Sequence, residues 1–361
     1  MDSTSLIADT AARILRDHCQ PEVINRAQGQ AWQAPAWAAL EAAGLTVAWV
    51  PEALGGAGAD IADGFAVLRV AGRQAVALPV AETLLAGWLL SQSGIAVPAG
   101  AMTCAPTRQG DTITLTANGC LRGRVPKVPF ARAAAHLALV AAGADGASVN
   151  LVDRGKVKVV EGKSIAGDAL DTVILEDVRP LARQPLPARL LAGGLLTMGA
   201  AARAMQMSGA LEAILNIAVS YANERVAFER PIAKFQAVQH NLARLAGETA
   251  AAMAAAGSAA AAVADWHAAD HGSGGEADAA LLLEVAAAKI RVGEAAAEGA
   301  GIAHQVLGAI GFTREHVLHR FTQRLWAWRD DFGNESAWAV RLGTLVAARG
   351  SDGLWPLLAS R

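Results

Sequence analysis

The chain has 361 residues, of which 53% are hydrophobic and 18% charged, and its net charge is −2. Such a length can bury the cores of about two or three domains. The near-neutral balance excludes the cationic footprint of a nucleic-acid binder or of a protein held on an anionic membrane surface. Three cysteines, Cys19, Cys104 and Cys120, form no Cys-x-x-Cys pair. That excludes a disulfide framework and a cysteine zinc site, and it fits a reducing compartment. The start, Met-Asp-Ser-Thr, lacks a basic segment followed by an apolar one, and no apolar run reaches the roughly 18 residues of a membrane span. A cytoplasmic protein is expected.

Residues 1–98 read as several helices, with apolar positions recurring at three and four through Leu6, Ala11, Ile14 and Leu15 and again through Trp37, Leu40 and Leu45. The stretch Val50-Pro-Glu-Ala-Leu-Gly-Gly-Ala-Gly58 separates helices, because Pro51 and its glycines make continued helix costly. Between 99 and 182 the pattern changes to short β-branched or alternating runs at 112–116, 136–140, 148–152, 156–160 and 172–175, bounded by Gly, Asn and Asp. This predicts a small antiparallel β-domain and argues against a doubly wound parallel sheet. Arg183-Gln-Pro-Leu-Pro-Ala-Arg189 reads as a linker. Beyond it, long Ala-rich helices are expected at about 190–228, 232–270, 276–307 and 314–349, broken at Pro231, at His271–Gly275 and at Gly308–Gly311. Together, 183–361 predicts an antiparallel four-helix bundle.

Two segments of the last region carry the chemistry. The first is Tyr221-Ala-Asn-Glu-Arg-Val-Ala-Phe-Glu-Arg-Pro-Ile-Ala-Lys-Phe-Gln236. Pro231 is expected to end one helix and begin the next, leaving Arg225 and Phe228 in a last turn and Gln236 in a first turn. An arginine at an exposed corner suits a pyrophosphate, which it can meet with paired donors. The second is His304-Gln-Val-Leu-Gly-Ala-Ile-Gly-Phe-Thr313, where Gly308 and Gly311 let backbone approach a ligand closely.

In this order, the two segments resemble the flavin-binding half of the acyl-CoA dehydrogenase family, and the Pro51 turn resembles one in that family's N-terminal domain. The resemblance implies a mainly α fold with a helical N-terminal domain, a middle β-domain and a C-terminal four-helix bundle. It also implies FAD, contacted by Arg225, Phe228, Gln236, Gln305, Gly308 and Gly311, with the corner reaching across subunits of an oligomer. The implied reaction is α,β-dehydrogenation of an acyl-CoA: a carboxylate takes the α-proton while the β-hydrogen leaves as hydride to flavin N5, and electrons pass on to an electron-transfer flavoprotein or similar acceptor. Glu229 and Ala309 stand where the family usually has Gly.

The family's base is a Glu in one of two places, and in ungapped comparison these fall on Gly333 and Gly199. Neighbouring carboxylates leave Asp331 and Glu335 as the candidate bases, with Asp330 beside them; the plainer reading pairs these acids with Arg329 and Arg341. The family's Trp-x-Thr flavin contact corresponds to Val125–Arg132, with Pro129 in place of the hydroxyl. Two other readings remain open: a subunit without its own base in a heteromeric dehydrogenase, homologous to its partner, and a non-redox acyl-CoA-binding protein of the same fold. His316-x-x-His319 and His267-x-x-x-His271 have metal-site spacings without an evident third ligand, so no metal is expected.

Overall fold

A computed structural model describes residues 3–20, 33–108, 110–190, 193–269 and 276–359. The expected break at His271–Gly275 lies outside the described residues. Packing divides the chain into one unit built mainly from Met1–Ala71 and Val76–Gly199 and a second built mainly from Ala200–Ala269 and Gly274–Arg361.

In the first unit, α1 (Ser3–Cys19) packs on α2 (Gln33–Ala42), and α3 (Ile61–Arg73) precedes α4 (Val80–Gln92). The Pro51 stretch is a short turn, with left-handed Gly55 and Gly58 turning the chain. Every residue of α4 from Val80 to Ser91 is buried. Its apolar sequence has no polar face to offer water, and it lies against strands β1, β4 and β5 of the sheet.

That sheet comprises β1 (Met102–Ala105), β2 (Ile113–Leu115), β3 (Leu121–Pro129), β4 (His136–Gly143), β5 (Gly146–Asp153), β6 (Lys158–Val160), β7 (Leu170–Val178) and β8 (Ala182–Pro185). Their order is β6-β7-β3-β2-β4-β5-β8, with β1 also paired to β4. Pairing is antiparallel except for β1 and β2 on β4. Leu121, Val125, Leu137, Leu139, Val152 and Val173 are at the centre of its core. The expected linker at 183–189 is part strand: Arg183, Gln184 and Pro185 pair with β5. Pro185 is tolerated because β8 is an edge strand.

The second unit is helical. It holds α5 (Gly194–Glu224) from Ala200 onward, α6 (Gln236–Ala268), α7 (Glu276–Leu307), α8 (Leu318–Asp330) and α9 (Glu335–Ala359). Helices α6 and α7 run antiparallel. Their register is fixed by Arg244 with Glu298, Glu248 with Arg291, Ser258 with Glu284 and Trp266 with Asp278.

Two expected elements differ. Helix α5 stops at Glu224, and residues 226–231 form a hairpin of β9 (Val226–Ala227) and β10 (Arg230–Pro231). The predicted helix 314–349 is two helices, α8 and α9, interrupted where Phe332 (φ 56°) and Gly333 (φ 96°) turn left-handed. The turn is locked by Trp338, whose indole N–H donates to the Phe332 carbonyl at 3.0 Å.

Candidate functional site

The hairpin after α5 places the first candidate residues. Ala227 pairs with Arg230, so Phe228 and Glu229 form a two-residue loop, and both have positive φ, 51° and 66°. This is the pattern of a type I′ turn. The Ile232 N–H donates to the Arg225 carbonyl at 2.8 Å, closing the hairpin base beside Arg225. Phe235 is the hub beneath the loop: Phe228 meets its ring edge-on at 6.2 Å and the Arg230 guanidinium lies over it at 4.3 Å. Phe228 is nonetheless 89% exposed. Arg225 and Gln236 are exposed as well.

The second segment closes α7. Gln305 is exposed on the last turn, and Gly308–Phe312 form a short 3-10 turn. Extending the α6–α7 register from Arg244 and Glu298 places Gln236 level with Gln305–Val306. The fold therefore brings the two sequence segments to the same end of the helical unit. Gly308 has φ 64°, and nothing lies within 4 Å of where its Cβ would be, so the backbone here is open to a ligand. Gly311 differs: it is buried, packed under Leu307 and Leu318 beside His304.

The side chains of Arg225, Gln236 and Gln305 have no hydrogen-bond or ion-pair partner among the described residues. A guanidinium, two amides, an open glycine and an exposed aromatic ring suit the diphosphate and adenine end of a dinucleotide. By chemistry of the donor set, these residues fit FAD.

The candidate base segment is built differently. Asp331 accepts from the Arg203 Nε at 2.9 Å, and Arg203, on α5, is 2% exposed and also donates to Gln206 at 2.5 Å. Arg203 also faces the Trp328 ring at 5.8 Å. Glu335 accepts from the Arg329 Nε at 2.6 Å. Its carboxylate rests on the backbone of α7 at Gly293, where a Cβ would overlap it. Both acids are thus held by arginines, while Arg341 lies over the Trp338 ring instead. Gly333 is in the turn between helices, and Gly199 is buried within α5.

Lys289 on α7 completes this arrangement. It is fully buried, and its Nζ donates to the carbonyls of Trp328 at 3.3 Å, Arg329 at 2.6 Å and Gly333 at 2.8 Å. It therefore caps the end of α8 and pins the turn after it. Neither Arg203 nor Lys289 was expected from the sequence. The available signal was a lone cation in an otherwise apolar helical stretch, Ala200-Ala-Ala-Arg-Ala-Met205 and Ala286-Ala-Ala-Lys-Ile290.

Burial pushes the Lys289 amine down to about 8, against the opposing pull of Asp331 and Glu335. Below pH 8 the amine is charged in both folded and unfolded chains. Between about 8 and 10.5 only the unfolded chain holds the proton, so stability rises with pH through that window, by an amount of order 3 kcal/mol. Urea unfolding of the protein and of Lys289→Met at pH 7.5 and 9.5 tests this: the gap between them is expected to widen at the higher pH. A gap independent of pH contradicts it.

In the β-domain, Pro129 ends β3, and its carbonyl accepts from the Thr103 hydroxyl at 2.7 Å. Arg132 is tied to the buried Asp171 and to Glu161. The His316 and His319 pair serves the start of α8, with the Leu318 N–H donating to His316 Nδ1 and His319 Nδ1 bonded to the His316 carbonyl. Among the described residues no cluster of three His, Cys, Asp or Glu side chains can hold a metal, and His271 lies outside them. No described helix is long and apolar enough to cross a membrane.

This order of helices, β-sheet and helices, with a dinucleotide-suited corner on the last, is that of an acyl-CoA dehydrogenase fold. Comparison with known proteins agrees: the acyl-CoA dehydrogenase N-terminal domain family matches residues 1–96, and the acyl-CoA dehydrogenase C-terminal domain family matches residues 190–328. The chain belongs to the acyl-CoA dehydrogenase family. It is 31% identical to acyl-CoA dehydrogenase FadE34 of Mycobacterium tuberculosis over 88% of its own length, and it spans 43% of that protein. It is 27% identical to acyl-CoA dehydrogenase IpdE2 of the same organism, covering 90% of this chain and 91% of that one. The solved structure of the Tcur3481-Tcur3483 steroid ACAD G363A variant superposes with a TM-score of 0.81 at 25% identity, covering 96% of this chain and 98% of that one. The ChsE4-ChsE5 complex from Mycobacterium tuberculosis shares the fold, with a TM-score of 0.85 at 24% identity over 97% of this chain and 99% of that one.

Proposed function

We propose that this chain is a subunit of an FAD-dependent acyl-CoA dehydrogenase that lends a flavin-diphosphate corner and takes its catalytic base from outside the Asp331–Glu335 segment. One observation carries this reading: Asp331 is engaged by the buried Arg203, and Glu335 is engaged by Arg329 while resting on Gly293. A general base must present a free lone pair to the α-proton of the substrate. Here each carboxylate already spends an oxygen on a guanidinium, which ties it to the protein instead of leaving it free for a substrate.

The roles of the chain's own residues follow. Arg225 holds the diphosphate through its fork of donors, Gln236 and Gln305 add amide contacts from the facing ends of α6 and α7, and Phe228 covers the adenine end. Gly308 and Gly311 keep the 308–312 turn compact enough for that approach. When bound, FAD supplies the hydride acceptor for the β-hydrogen. Lys289, Arg203 and Arg329 fix the turn between α8 and α9. The substrate is an acyl-CoA thioester and the electrons pass to an electron-transfer flavoprotein or a similar acceptor. The likeness to the Tcur3481-Tcur3483 steroid ACAD favours a bulky acyl group and assembly with a homologous subunit.

Expression of the chain alone and together with a homologous family subunit tests the proposal. Bound flavin is read by its visible absorbance, and turnover by anaerobic bleaching with acyl-CoA thioesters. Bleaching is expected only for the mixed assembly. A chain that by itself retains flavin and is bleached at full rate contradicts the need for an outside base and favours Asp331 or Glu335 in that role.

A further inference from the structure

The hairpin tip holds a residue that its backbone disfavours. Residue 229 sits at φ 66° in the second position of a type I′ turn, where Gly or Asn is favoured, yet it is a glutamate. The turn has little freedom to relax, because the residues on either side of Glu229, Phe228 and Arg230, both pack on the Phe235 ring. The Glu229 carboxylate is exposed and has no partner among the described residues. Around it along the chain stand Arg225, Arg230 and Lys234, the cations of the corner. Of these, Arg230 is committed to Phe235, and Arg225 is unengaged.

A negative charge fixed beside an anionic diphosphate opposes binding of that diphosphate and offsets part of the attraction of Arg225. We propose that Glu229 is a specificity-determining residue that weakens the hold of this corner on the FAD diphosphate, so that FAD is held loosely and in a salt-dependent way. The proposal rests on the reading of the corner as a flavin site. Glu229 is not a ligand of the flavin; it sets the affinity of the residues that are.

The test is FAD affinity of the purified assembly, read by flavin fluorescence, for the unaltered protein and for Glu229→Gln, Glu229→Gly and Arg225→Ala at low and high salt. Glu229→Gln removes the charge and keeps the disfavoured turn. It is expected to bind FAD about five-fold more tightly at low salt, the order of one screened surface charge, with the gain shrinking at high salt. Glu229→Gly is expected to bind at least as tightly and also to raise the thermal midpoint, since glycine suits the left-handed position. Riboflavin, which carries no phosphate, should bind all the Glu229 variants alike.

If Glu229→Gln binds FAD no more tightly while Arg225→Ala binds it more weakly, the Glu229 proposal falls and the flavin corner stands. If Arg225→Ala binds FAD as tightly as the unaltered protein, or if none of the proteins binds FAD, both fall.

Discussion

Asp331→Ala is expected to destabilise the C-terminal helical unit by about 3–5 kcal/mol, the cost of breaking a largely buried ion pair by removing one of its members. The Arg203 guanidinium is 2% exposed, and Gln206 and Trp328 beside it carry no negative charge. Urea unfolding followed by tryptophan fluorescence measures the loss, since Trp328 lies beside the pair. The double variant Arg203→Met with Asp331→Leu is expected to regain most of it, because an apolar pair of similar volume avoids the desolvation cost of the charges. A loss below about 1 kcal/mol for Asp331→Ala, the range of a surface pair, contradicts a structural role for Asp331.

The second large effect concerns the cofactor. Arg225→Ala is expected to weaken FAD binding about 10- to 100-fold, the range of charge-assisted hydrogen bonds to a phosphate. Arg225→Lys should recover only part of this, since a single ammonium cannot reproduce the paired donors of a guanidinium. Titration of the flavin-free protein with FAD checks both values. Equal affinity for the three proteins contradicts the placement of Arg225 on the diphosphate.

Some elements were readable in the sequence and others were not, for local reasons. Strands β4, β5 and β7 were legible because short runs that are apolar-alternating or β-branched stand there between turn signals. Strand β1, Met102–Ala105, was missed because all four residues are buried, which leaves no alternation to detect. Strand β3 hides behind two arginines, a glycine and two prolines, and its register shifts twice against β7. The helix break at Phe332–Gly333 was overridden by the strong helical pattern on either side. It became visible only through Trp338 and Lys289, which fix the turn from outside it.

The candidate site divides in the same way. Arg225, Gln236, Gln305 and Gly308 were readable because they lie in two short local motifs, and the α6–α7 register brings those motifs to one end. What surrounds Asp331 and Glu335 was not readable, because the partner of Asp331 is 128 residues away in sequence. Chain-local spacing carries no information about such a pair. The family resemblance marked residue 229 as a usual glycine, and the hairpin supplies the physical reason, a positive φ at Phe228 and Glu229.

The anaerobic rate of flavin bleaching by acyl-CoA in the assembled Glu335→Gln enzyme tests most directly whether the α-proton is removed from outside the Asp331–Glu335 segment. Glutamine keeps the shape of the side chain between Arg329 and Gly293 and removes its capacity to accept a proton. If Glu335 is held for structure, Glu335→Gln bleaches at close to the unaltered rate, and Asp331→Asn does so wherever it remains folded. A loss of about a hundred-fold or more in Glu335→Gln with acyl-CoA binding intact, the size of a lost general base, would contradict this and make Glu335 the catalytic base.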